Sequence, residues 1–132
     1  MARSNGGIIG KLNKSSFGKC TVTSKTSSGC VSLQSGTKIV KALIVAGGGG
    51  GGTSYGSGGG AGGARNIEIN ASSSIPVTIG GGGAGGQATN QAGANGVNTS
   101  LVACGTTYLA TGGGVGSGPA NAVGDGGSGA GS

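Results

Sequence analysis

The hexapeptide Gly-Gly-Gly-Ala-Gly-Gly occurs at 58–63 and again at 81–86, and a looser Gly-Gly-Gly-Val-Gly begins at Gly112. A run of six glycines at 47–52 precedes them all. Glycine brings no side chain to bury and loses the most backbone freedom on folding. Of 132 residues 37 are glycine, and the aromatic inventory is one Phe and two Tyr, so a conventional core is not available to this chain. A backbone hydrogen-bond lattice, association with identical chains, or disorder must take its place.

Each glycine tract sits near a segment with strand character. Lys38 to Ala46 leads into Gly47, Gly48, Gly49, Gly50, Gly51 and Gly52, and Ile75 to Ile79 leads into Gly80, Gly81, Gly82, Gly83, Gly85 and Gly86. Tyr108 to Thr111 leads into Gly112, Gly113 and Gly114, while Gly58, Gly59, Gly60, Gly62 and Gly63 lie between the first two groups. Period-two alternation marks Asn66-Ile67-Glu68-Ile69-Asn70 and Ile75, Val77, Ile79, which predicts a hairpin around 71–74. Pro76 places its segment at a sheet edge or on an unpaired side. Cys20 to Thr26 with Cys30 to Leu33, and Thr99 to Ala103 with Thr106 to Ala110, are the other expected pairs. No window has helical apolar spacing, and glycine opposes helix by about 1 kcal/mol per interior position. The expected class is therefore all-β, with short hairpins or a small sandwich coupled to polyglycine II-type helices. Such helices turn once in three residues and leave their N–H and C=O groups pointing outward, free to bond to neighbours that approach closely because no side chain intervenes. Ala61, Ala84 and Val115 would mark the helix faces. Residues 20–118 form the expected glycine-rich module, 1–19 a basic leader, and 119–132 a mobile tail or junction.

Composition argues against an enzyme. With no His, one Glu (Glu68) and one Asp (Asp125), the hydroxyl and thiol groups have no ordinary base, and no catalytic residue, metal site or cofactor is expected. Leu43-Ile44-Val45-Ala46 before glycines imitates a dinucleotide fingerprint, but 53–65 is Gly/Ser-rich where that motif needs a helix. A phosphate loop would need a lysine before Thr53. Arg3, Lys11, Lys14, Lys19, Lys25, Lys38 and Lys41 concentrate positive charge in the first 41 residues. They are spread out with only Phe17 nearby, which fits a solvated docking segment better than a nucleic-acid arm. No apolar run approaches membrane-span length. Cys20 and Cys30 could close a small loop, with free, buried thiols the alternative. Tyr55, alone among glycines, could stack on a sugar or pack on a glycine face.

The stretch Ser24 to Gly52, with Thr-Ser-Ser-Gly, Ser-Gly-Thr-Lys and Ala-Leu-Ile-Val-Ala ahead of six glycines, resembles the opening of the glycine-rich domain of bacteriophage tail-fibre and related virion proteins. Gly-Gly-Gly-Ala-Gly-Gly-Ala-Arg, Ile-Pro-Val-Thr-Ile-Gly-Gly-Gly-Gly-Ala-Gly-Gly, Asn-Gly-Val-Asn-Thr-Ser and Leu-Ala-Thr-Gly-Gly-Gly follow in that family's order. Met1 to Asn13 resembles the amino-terminal leader of structural proteins from marine and freshwater tailed phages. The resemblance implies a non-enzymatic virion component, a tail fibre or fibre-like appendage, docked on other virion or tail proteins through Arg3, Ile8, Ile9 and Lys11. It further implies self-association, a homotrimer by analogy with fibres, and contact with a host surface glycan. The alternative is a secreted ice-binding or extracellular matrix protein built on a polyglycine bundle. Its threonines, from Thr53 to Thr111, show no regular spacing of the kind an ice-binding face would need.

Overall fold

The computed structural model describes residues 21–71 and 73–118. The leader, with Arg3, Ile8, Ile9 and Lys11, lies outside the described residues, as do Cys20 and the segment 119–132. Among the described residues there are six strands and no helix: β1 (Gly29–Val31), β2 (Ile39–Val45), β3 (Ala64–Asn70), β4 (Ile75–Thr78), β5 (Thr99–Ala103) and β6 (Thr106–Ala110). They form two antiparallel sheets, one of order β1-β4-β5-β6 and one of β2 with β3. The protein is thus all-β.

Alternation decides which faces meet. Val40, Ala42 and Ile44 of β2 lie inward, and β3 sets Ile69 opposite Val40 and Ile67 opposite Ala42. From the other sheet Ile75, Leu101, Ala103 and Ala110 complete a small core with Ile44, Ile69, Ala46 and Ala71. Half of those eight buried residues are alanines, which keeps the apolar area modest. The outward face of β2 leaves Ile39, Leu43 and Val45 exposed, beside an exposed Lys41–Glu68 ion pair at 3.5 Å.

Two expected hairpins are not formed. β3 and β4 do not pair with each other: β3 pairs with β2, and β4 sits between β1 and β5. Side by side in one hairpin, Ile67, Ile69, Ile75 and Val77 would share a single face needing another cover. In separate sheets they face each other across the core. The pairing of 20–26 with 30–33 is also absent, because Thr21 to Lys25 is not a strand and β1 pairs with β4. Val22 is the one large apolar side chain of that stretch and is 93% exposed, so pairing there would bury nothing. β4 is not an edge strand, and of the two places expected for Pro76 it takes the unpaired side: the β4–β5 ladder begins at Val77, one residue beyond the missing donor.

The β5–β6 hairpin forms as its alternation predicts. Its two-residue turn has both residues at positive φ, Cys104 at 49° and Gly105 at 76°, the requirement of the primed turn that suits strand twist. Cys104 is held there by donating from Sγ to the Asn70 carbonyl at 3.0 Å. Cys30 and Cys104 are free thiols and exposed, not buried as expected, because one lies on an edge strand and the other in a turn. Asparagine tolerates the left-handed region better than cysteine does, so Cys104→Asn is expected to raise stability by about 0.5–1 kcal/mol in urea unfolding.

Candidate functional site

Five segments without strand pairing run on from the sheets: tract I (46–53), tract II (57–63), tract III (80–86), tract IV (91–97) and tract V (111–118). β2 continues into tract I, tract II returns to β3, β4 continues into tract III, tract IV returns to β5, and β6 continues into tract V. Their hydrogen bonds recur at every third residue. The N–H groups of Ala46, Gly49 and Gly52 donate to the carbonyls of Gly63, Gly60 and Ser57 at 2.8–3.0 Å, and those of Gly47, Gly50 and Thr53 to Val97, Ala94 and Gln91 at 2.8–3.1 Å. Gly83 and Gly86 donate to Gly48 and Gly51, and Gly113 and Gly116 to Gly47 and Gly50. Around tract I, tract II bonds to V, V to IV, and IV to III. Tract I is therefore the hub of a fan of four neighbours, antiparallel to II and IV and parallel to III and V.

This close approach explains most of the glycines. A Cβ on Gly47 or Gly50 would overlap the carbonyls of Gly81 or Ala84, and one on Gly49 or Gly52 those of Gly114 or Ser117. Gly59 and Gly62 abut tract I, Gly80, Gly83 and Gly86 abut tract IV or the turn before it, and Gly112 and Gly113 abut Gly96 and Gly60. Gly60 and Gly114 are buried and bonded to each other, and Gly63 lies tight against Thr111. Gly48, Gly51, Gly58, Gly81, Gly82 and Gly85 differ, each having room for a Cβ. Ala61 and Ala84 are exposed, on the registers that Gly58 and Gly81 leave open. A Cβ at Gly82 would thus meet only ordinary contact, 3.6 Å from the Gly48 carbonyl, unlike one at Gly49.

Tract IV escapes a search for glycine runs because it holds only Gly93 and Gly96. Their three-residue spacing is the signal, since each turns toward tract I where a Cβ would overlap Gly50 or Gly47. Asn95 and Asn98 have the same spacing. Their Oδ1 atoms accept the N–H groups of Val115 at 2.7 Å and Gly112 at 2.8 Å, and Ser57 Oγ accepts that of Ser117 at 2.9 Å. Side chains thereby finish one edge of the lattice.

At the end remote from the sheets, the turn 53–56 joins tracts I and II and the loop 87–91 joins III and IV. Gly56 N–H donates to the Thr53 carbonyl at 3.0 Å. Ser54 (φ 62°) and Asn90 (φ 61°) both occupy the left-handed region, and Asn90 N–H donates to Ser54 Oγ at 3.3 Å. Thr53 Oγ1 bonds the Ala88 carbonyl and accepts the Gln91 N–H, while Gln91 Oε1 accepts the N–H groups of Gln87 and Ala88 at 2.8 and 2.9 Å. Tyr55 projects from this braced tip with 98% of its surface exposed and so packs on no glycine face. A ring in that position can stack on a flat apolar surface and hydrogen-bond through its hydroxyl. A separate open groove of about 1550 Å³ is lined by residues between 21 and 45 and by residues of β4 and β5, among them Val31, Leu33, Leu43 and Ile75.

These features define an all-β protein whose sheets carry a glycine-tract lattice. The chain belongs to the glycine-rich domain family, whose model matches residues 22–132. No curated protein and no solved structure matches it.

Two substitutions test the lattice. Gly49→Ala forces a Cβ into the Gly114 carbonyl and is expected to cost about 3 kcal/mol or more, or to prevent folding. Asn98→Ala leaves the buried Gly112 N–H without its acceptor and is expected to cost about 1–3 kcal/mol, both read by denaturant unfolding.

Proposed function

We propose that this chain is a non-enzymatic structural component of a phage virion, a tail fibre or fibre-like appendage that attaches by its leader and presents its distal turns to the host surface. The resemblance of 1–13 and 20–118 to virion proteins supports the setting. One structural observation carries the role: an almost fully exposed Tyr55 on a cross-braced turn, held away from the sheets by a backbone-bonded spacer. In this reading the tracts are polyglycine II-type helices, in keeping with their three-residue register. A run of six would hold the tip about 19 Å from the strand end. Aromatic stacking on a sugar ring is the contact such a tip is suited to make. Self-association belongs to the reading, with the trimer of fibres as the stoichiometry the resemblance implies.

Deletion of residues 1–19 is expected to leave the melting of the glycine-rich module unchanged and to abolish incorporation into particles. Tyr55→Ala is expected to leave folding and incorporation intact and to reduce adsorption to host cells by about tenfold or more, the loss of one well-formed stacking contact. Normal incorporation without the leader, or unchanged adsorption without the ring, would count against the proposal.

A further inference from the structure

The fan of tracts II, V, IV and III covers tract I from one side only. On the other side, the N–H groups of Gly48 and Gly51 donate to no acceptor among the described residues. They stand three residues apart, the spacing of every other contact in the lattice. The remaining donors of the tract, at 46, 49 and 52 and at 47, 50 and 53, are all taken. The chain has a means of finishing such an edge, since Asn95 and Asn98 cap tract V. No side chain among the described residues does this for Gly48 and Gly51.

The glycines on this open side have no cause among the described residues. The nearest atoms to a Cβ would be 3.6 Å away at Gly48, 3.5 Å at Gly51, 3.6 Å at Gly82 and 3.7 Å at Gly85, and Gly58 faces open space. None of the five has a φ in the left-handed region. Alanine would fit at each and would restrict the unfolded chain, to the advantage of stability. On the inner side of tract I, glycine is required because another backbone comes within bonding distance.

We propose that the same condition holds on the outer side: the open face of tracts II, I and III docks against the same face of a second copy of this chain, whose carbonyls accept the N–H groups of Gly48 and Gly51. The occupant must be backbone with few side chains and a three-residue repeat. All five such segments among the described residues are already built into the lattice, and a second copy of the chain carries the same backbone and the same repeat on the same face. The face holds no charged residue, and so offers nothing for an acidic or basic partner to recognise. It is also self-complementary, because the carbonyls of Gly58, Gly82 and Gly85, in the tracts that flank Gly48 and Gly51, accept no hydrogen bond among the described residues. Unpaired donors along an edge are satisfied by pairing, as strand edges are, and a patch that pairs with itself gives a closed two-fold dimer.

The test is sedimentation of the full chain across a concentration series, with amide exchange at Gly48 and Gly51 followed over the same series. A dimer is expected, with protection at the two amides that grows with dimer population. The double variant Gly48→Ala with Gly51→Ala should melt no lower at concentrations where both proteins are monomeric, yet dimerise about 100-fold more weakly or worse, because its methyl groups hold the facing backbone away. A monomer at all concentrations overturns the inference, and so does protection of the two amides that is independent of concentration, which would mean that the chain covers its own face. A trimer that persists in the double variant overturns it too, while leaving the fibre reading standing.

Discussion

A tract N–H reaches the carbonyl of a neighbouring tract only where no Cβ stands between them, and the rest of the structure depends on that condition. It inverts the usual division of labour, in which backbone bonds define elements and side chains join them. Here the backbone bonds are themselves the tertiary contacts. A net gain of about 0.5–1.5 kcal/mol for each such bond stands against an ordering cost of about 1–2 kcal/mol for each residue, largest for glycine. Bonds alone cannot hold the lattice. Close packing of bare backbones and the small core of the two sheets must supply the difference.

The sheets also fix where each tract starts. β2, β4 and β6 launch tracts I, III and V in one direction, and tracts II and IV return to β3 and β5. The distal end has no core of its own. It is tied by Thr53 and Gln91 across two turns, and by the bond between Ser54 and Asn90 at the two left-handed positions. A braced turn at the end of a spacer can expose a ring such as Tyr55 without losing its position.

The residues made some of this legible in advance. Alternation marked β3 and β4, the strand-sized apolar stretch ahead of the six glycines marked β2, the β5–β6 pair was expected, and the repeated hexapeptide marked tracts II and III as pieces of one arrangement. Strand partners were harder to read. The isoleucines of β3 and β4 alternate equally well for a hairpin and for two facing sheets, and only the presence of β2, with its own inward Val40 and Ile44, decides between them. Tract IV was hidden for a different reason. With Gln, Ala, Asn and Val at most of its positions it does not look glycine-rich, although Gly93 and Gly96 fall on the one register in three that faces tract I. The caps Asn95 and Asn98 obey the same period. Glycine counting misses a lattice in which only the inward residue of each turn must lack a side chain.

A lattice of identical residues has a further difficulty, which is register. Sliding tract II along tract I by three residues would restore the same donors and acceptors one turn away, and the six glycines 47–52 offer no preference between the two. The few side chains in the tracts fix the phase within a turn. Ala84 stands on the open register of tract III, and a slip of one residue would drive its methyl group toward tract IV or toward the Gly48 or Gly51 carbonyl. They cannot count turns. That is settled where the strands end: Val45 opposite Ala64 in the β2–β3 ladder leads directly to the bond from Ala46 to Gly63, and every later bond between the two tracts follows at intervals of three. The Thr53–Gly56 turn closes the same pair at its far end. Glycine tracts short enough to be pinned at both ends, with strands between them, are therefore a condition for a single folded state, and the alternation of strand and tract along this sequence follows from it.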